Sequence, residues 1–96
     1  MTKYLQRAWS DYEDDIDMED VRKAIAQIQS MDGEHGAFWV GTEEEDYVLE
    51  IDKSLKMICI VNDQGIKYQA KSWKEVEDIY ELLLKEDFSN LINALS

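Results

Sequence analysis

A recurrence of hydrophobic residues every three or four positions predicts the first helix, from about Met18 to Ser30. Asp17 precedes this helix as its N-cap, and Asp20 takes the position of the capping-box partner, where Glu or Gln is more usual. The segment DGEHG, residues 32 to 36, has two glycines and no apolar side chain, so it ends the helix and turns the chain. The apolar side of the helix consists of Met18, Val21, Ala24, Ile25 and Ile28.

The same spacing predicts a second helix from about Trp73 to Lys85. Ser72 and Glu75 form a capping box at its start. After it, the segment EDFSN interrupts the pattern, and a short terminal helix is predicted beyond the interruption. The apolar positions are Val76, Ile79, Tyr80, Leu83 and Leu84 in the second helix, and Leu91, Ile92 and Leu95 in the terminal one.

Four short segments between the two main helices are rich in β-branched and aromatic residues, which predicts strands. Their connections, GTEEED, DKS and NDQG, are too short for crossovers, so the strands should form an antiparallel meander. The third segment is apolar on both faces, which favours a central position. A further strand is predicted in the run Lys3 to Trp9. The four segments are Ala37 to Val40, Tyr47 to Ile51, Leu55 to Val61 and Ile66 to Ala70.

These elements predict an α+β fold: an antiparallel four- to five-stranded sheet with two main helices packed on one face and a short C-terminal helix. The chain has 96 residues, of which 45% are hydrophobic, so residues 1–96 are expected to form a single domain with one core. Its one cysteine, Cys59, permits no internal disulfide, and no stretch has the apolar length of a membrane span or a signal peptide. A cytoplasmic location is expected.

The formal net charge is −12, from 22 acidic and 10 basic residues. Such a charge disfavours nucleic acid and anionic membranes as direct partners, which leaves a basic protein partner or simple solubility as its role. The charge is also uneven, because residues 31 to 54 carry about −7 whereas residues 55 to 71 carry about +2.

Few residues are candidates for catalysis or metal binding. His35, the only histidine, lies in a glycine-flanked turn, and Cys59 lies within an apolar strand, so neither has an evident catalytic partner. A calcium loop starting at Asp11 would lack the glycine at its sixth position and the glutamate at its twelfth. The sequence also contains no P-loop, no GxGxxG and no zinc-binding pattern. We therefore expect no enzymatic activity, no metal and no cofactor.

Two acidic runs are interleaved with aromatic residues, a combination that favours protein interfaces over solvated loops. WSDYEDD precedes the first helix, and EEED lies in the first turn of the meander. Trp9, Tyr12 and Trp73 are the aromatic residues expected to be exposed. Asp17 and Asp20 already serve the helix start, so they are left out of the predicted interface. The predicted partner-binding residues are Asp11, Tyr12, Glu13, Asp14, Asp15, Glu43, Glu44, Glu45 and Asp46.

The order of elements, with the segments AIAQIQSMDGEHG, FWVG, YVLEID and SWKEVEDIYELLL, resembles the immunity proteins of bacterial polymorphic toxin and contact-dependent inhibition systems. It is most similar to the large first-numbered immunity-protein family. The likeness covers roughly residues 3 to 86, with Gly36, Trp39, Tyr47 and Leu49 in step. It implies a small α+β domain without catalytic residues that binds and blocks a cognate toxin, often a nuclease. The acidity of residues 11 to 20 is not a feature of that family.

Together, these features suggest a cytoplasmic immunity protein that neutralises a cognate toxin, most simply a basic nuclease, by stoichiometric non-covalent occlusion. The alternative is a phage-type acidic nucleic-acid mimic that inhibits a host defence nuclease. A small metal-binding domain or enzyme is a less favoured third hypothesis. The protein itself is expected to be a monomer or a weak homodimer.

Overall fold

The computed structural model describes residues 3–7, 12–30, 36–42, 47–61 and 63–95. Within them lie one six-stranded antiparallel sheet and three helices, which confirms the predicted α+β class. The prediction of four to five strands is wrong by one short strand, which lies inside the first acidic run. The elements are β1 (Lys3–Arg7), β2 (Tyr12–Asp14), α1 (Met18–Ser30), β3 (Ala37–Thr42), β4 (Tyr47–Asp52), β5 (Lys56–Val61), β6 (Gln64–Gln69), α2 (Trp73–Leu84) and α3 (Phe88–Ala94).

The strand order is β2-β1-β3-β4-β5-β6. The meander from β3 to β6 is confirmed, and the N-terminal hairpin of β1 and β2 adds to its first strand. The strand β5 pairs with β4 on one side and β6 on the other, so the expectation that it would be a central strand and not an edge strand is confirmed. Its second apolar row, Ile58 and Ile60, lies on the face of the sheet that no described helix covers.

All three helices pack on one face of the sheet, where the core lies. The hydrophobic side of α1 contributes Val21, Ala24, Ile25 and Ile28, each no more than 5% exposed. Tyr80 of α2 is fully buried, stacks on Phe38 with ring centroids 5.4 Å apart, and donates its hydroxyl to the Leu49 carbonyl oxygen at 2.8 Å. Since β4 is a middle strand, this hydrogen bond fixes α2 to the centre of the sheet.

The helix starts are capped as the sequence predicts, with one difference. The Asp20 amide donates to the Asp17 side chain at 3.3 Å, and the Asp17 amide donates to the Asp20 side chain at 3.0 Å. At α2, the Glu75 amide donates to the Ser72 hydroxyl oxygen at 3.1 Å. The Glu75 carboxylate, however, accepts from the Lys71 amide at 2.8 Å, so only half of that capping box is confirmed. No helix in the described ranges is long and apolar enough to span a membrane.

Candidate partner-binding surface

The first acidic run contains β2, an edge strand that the sequence pattern did not reveal. Tyr12 pairs with Gln6, and Asp14 pairs with Tyr4, in an antiparallel ladder. Three residues with one apolar ring give no periodic signal of a strand. Besides its predicted role as an interface, the run therefore has a structural role that was not predicted.

Glu13 points to the same face as the helices, opposite its neighbours Tyr12 and Asp14. Its carboxylate accepts from Nη1 of Arg7 at 3.1 Å. Arg7 is only 2% exposed, and its Nε donates to the Gln27 side-chain oxygen of α1 at 2.7 Å. A buried guanidinium needs a compensating anion, and Glu13 supplies it. Glu13 thus links β2 to α1 through Arg7, and it does not form part of a free acidic patch.

Tyr12 is the most exposed large hydrophobic residue of the described chain, at 57%. Its ring stacks on Tyr4 at a centroid distance of 5.6 Å, and its hydroxyl donates to Asp14 Oδ1 at 2.9 Å. The Tyr4 ring in turn lies over Gly41, where an added Cβ would be 2.7 Å from ring atoms. The two stacked tyrosines therefore form an aromatic surface at the edge of the sheet, and the exposed Asp14 carboxylate lies beside it.

Of the nine predicted interface residues, three lie together at the β2 edge of the sheet, which is called the rim below: Tyr12, Asp14 and Asp15. Asp15 is exposed and ends the strand with a φ of 53°. The positions of Asp11, Glu43, Glu44, Glu45 and Asp46 lie outside the described residues. The residues that flank the second run, Thr42 and Tyr47, are at the same end of the sheet as Asp14, because Tyr4 pairs with both Asp14 and Gly41.

The side of the sheet opposite the helices, called the open face below, also carries apolar residues that were not predicted as functional. Trp39, Val48 and Ile58 are half-buried there, and Ile60 is 40% exposed. The sequence signal for these residues is the second apolar face of β5, from which only a central position of the strand in the sheet was predicted. Trp73, expected to be exposed, instead packs against the core from the first turn of α2. Trp9 lies outside the described residues.

Glu50 lies in the middle of the open face, between Trp39 and Ile58 in the strand register. Burial by these neighbours, and secondarily the charge of Asp52, raise the pKa of its carboxyl above the ordinary value. An acid whose pKa is higher in the folded state stabilises the fold at low pH, and this contribution disappears as the pH rises through the folded-state pKa.

Glu50→Gln is therefore expected to raise the Tm at pH 7, by about 2 °C. The gain should shrink toward zero as the pH falls below the ordinary carboxyl pKa of 4.5. Thermal unfolding followed by circular dichroism between pH 4 and pH 8 measures it. Asp63→Asn, at an exposed turn, is the control for removing one negative charge. A gain independent of pH, or one equal to the control, would contradict the prediction.

A groove of about 460 Å³ lies between the start of α1, Lys3 and the end of α2. It contains three cationic side chains, but each of them already pairs with a carboxylate. In the described part of the chain, no three His, Cys, Asp or Glu side chains are grouped to hold a metal ion. Cys59 is buried in β5, and burial raises the pKa of its thiol to about 11. The ion pairs in the groove are Lys3–Glu86 at 3.5 Å, Arg22–Glu77 at 3.1 Å and Lys85–Glu81 at 2.7 Å.

Comparison of the chain with family models, with curated proteins and with solved structures gives no match.

Proposed function

We propose that this chain is a non-catalytic, cytoplasmic immunity protein that binds a basic toxin domain, most simply a nuclease, and blocks it by stoichiometric occlusion. The observation that carries this proposal is the rim at β2, where exposed Tyr12 stands beside the exposed carboxylates of Asp14 and Asp15. An aromatic anchor flanked by charges of one sign is a common arrangement at protein interfaces.

The rigidity of the rim supports this proposal. The Tyr12 ring is stacked on Tyr4, and its hydroxyl is hydrogen-bonded to Asp14. The strand beneath is fixed through Glu13 to the buried Arg7. A preorganised aromatic anchor loses little conformational entropy on binding, so more of its contact energy is retained as affinity.

The charge of the chain supports a basic partner. With a net charge of −12, the molecule attracts a positively charged cleft at long range, and the acids of the rim orient the encounter. Carboxylates spaced along a rim resemble the phosphates that a nuclease cleft binds. The phage-type nucleic-acid mimic shares this physics, and the neighbouring genes distinguish the two: a toxin reading frame supports the first, a phage operon the second.

The direct test is co-expression with basic nuclease toxin domains. A one-to-one complex should survive purification at moderate salt and should lack nuclease activity. If no domain of such a panel forms a complex, and a toxin reading frame next to the gene also fails, the proposal is rejected.

With a toxin that forms the complex, Asp14→Lys/Asp15→Lys is expected to reduce the association rate constant roughly tenfold at low salt, because rim charges steer the encounter. The difference should shrink as salt rises, since screening removes steering. Stopped-flow or surface plasmon resonance at several salt concentrations measures both effects.

Asp63→Lys/Asp78→Lys is the matched control. It changes the net charge equally, and Asp63, with a φ of 69°, shares the left-handed backbone of Asp15. Asp78 is exposed on α2. If both double variants slow association equally, only the total charge matters and the rim is not the binding site. Glu13 is left unchanged in these variants because it supports the fold.

A further inference from the structure

The open face carries charges of both signs in a chain that is otherwise strongly acidic. On the open-face positions of β3 to β6, called the neutral footprint below, there are two carboxylates, Glu50 and Asp52, and two lysines, Lys56 and Lys67. The footprint therefore has no net charge, while the whole chain has −12. This is the surface on which a second copy of the same chain meets the least repulsion.

The two signs are also separated within the footprint. The acids lie on β4, and the lysines lie on β5 and β6. Neither lysine forms an ion pair with a carboxylate of the described part of the chain. A two-fold axis parallel to the strands places the acidic half of one copy over the basic half of the other.

An axis between β4 and β5 places each row of side chains opposite the same row of the other copy. Val48 then faces Ile60, which joins two apolar residues, one of them 40% exposed in the single chain. Trp39 faces Lys67, the pairing that a cation–π contact requires. Asp52, the last residue of β4, faces Lys56, the first residue of β5. Two sheets packed face to face in this way keep their strands nearly aligned.

We propose that this chain forms a homodimer through the neutral footprint, with the two sheets packed face to face. The proposal goes beyond the proposed function and does not depend on it, because β1 and β2, with Tyr12 and Asp14, stay outside the contact. Four strands spaced about 4.8 Å apart, with about 3.3 Å per residue, give a footprint of roughly 400 Å² per copy. The total of roughly 800 Å² corresponds to a weak interface, so we expect a dissociation constant on the order of 10⁻⁵ to 10⁻⁴ M.

Sedimentation velocity of the whole chain tests the dimer, from about 5 µM to about 500 µM, which brackets that constant. The salt concentration is about 150 mM, where a Debye length of about 8 Å screens the repulsion between the copies. The wild-type chain should change from monomer to dimer over this range. A monomer at every concentration would overturn the proposal, whether or not the chain binds a toxin.

Two variants locate the contact. Ile60→Lys should give a monomer at all concentrations, although it lowers the negative charge of each copy, because it places an ammonium group in the apolar row. Lys56→Glu should weaken the dimer at least tenfold, and Lys71→Glu, an exposed residue outside the footprint, is its charge-matched control.

Tyr12→Ala removes the other large hydrophobic residue that is exposed within the described ranges, and it should leave the dimer intact. Circular dichroism melting confirms that each variant is folded. A dimer that is unaffected by Ile60→Lys, or equally weakened by Lys56→Glu and Lys71→Glu, would assign the contact to another surface, such as the β6 edge, and would overturn the proposal.

Discussion

Glu13→Ala is expected to lower the free energy of unfolding by about 2 kcal/mol, even though Glu13 lies in an acidic run where a single charge should be dispensable. The substitution leaves the Arg7 guanidinium, 2% exposed, with the Gln27 oxygen but without its anion. Loss of one partner from a fully buried pair costs about 3–5 kcal/mol. Because the Glu13 side chain is 38% exposed, water partly replaces it and the cost is smaller.

Thermal unfolding measures this effect, and a fall in Tm of about 10 °C is expected for a domain of this size. Asp14→Ala is the matched control, since that carboxylate accepts only the exposed Tyr12 hydroxyl in the described structure. In an Arg7→Met background, Glu13→Ala should cost much less, because no buried charge remains. Equal losses for the two acids in the wild-type background would contradict the inward orientation of Glu13.

Tyr80→Ala is expected to cost more, about 4 kcal/mol, since it removes a fully buried aromatic ring and leaves a cavity between α2 and the sheet. Tyr80→Phe separates the ring from the hydroxyl. It should cost about 1 kcal/mol, because it deletes one buried hydrogen bond to the Leu49 carbonyl. Burial holds the pKa of Tyr80 well above its ordinary value, so the hydroxyl remains a donor into the alkaline range.

Urea denaturation at 25 °C measures both losses, with Tyr68→Phe as the control for a hydroxyl in a partly exposed position. The Tyr68 hydroxyl donates to Glu75 Oε2 at 2.9 Å near the surface, and its removal should cost clearly less than the loss for Tyr80→Phe. A loss below about 1.5 kcal/mol for Tyr80→Ala would mean that α2 is not fixed to the sheet through this ring.

The elements that sequence reasoning predicts correctly are those whose own residues determine them. The helix α1 has both a helical spacing of hydrophobic residues and an N-cap at Asp17. In the strands β3 to β6, successive side chains alternate between the two faces of the sheet, and short polar turns connect the strands. Each of these signals is contained within about a dozen residues, so no knowledge of distant contacts is needed.

The strand β2 is different, because its formation depends on residues elsewhere in the chain. Tyr12, Glu13 and Asp14 have low intrinsic strand signal as a group, yet they pair with β1, stack on Tyr4 and neutralise Arg7. These contacts exist only after the chain has folded. For the same reason, the sequence alone identified the acidic run as a candidate interface but not which of its acids point outward.

The position of β1 in the sheet has a consequence for how the chain folds. The meander β3 to β6 is built from neighbouring hairpins, whereas the pairing of Arg7 with Phe38 closes a loop of about 30 residues that contains α1. The loop closure costs entropy before its contacts are made, so the N-terminal hairpin should be the last part to join the folding nucleus. The rim at β2 would then form late in folding, and the contacts of Glu13 and Tyr12 would hold it in place once the chain has folded.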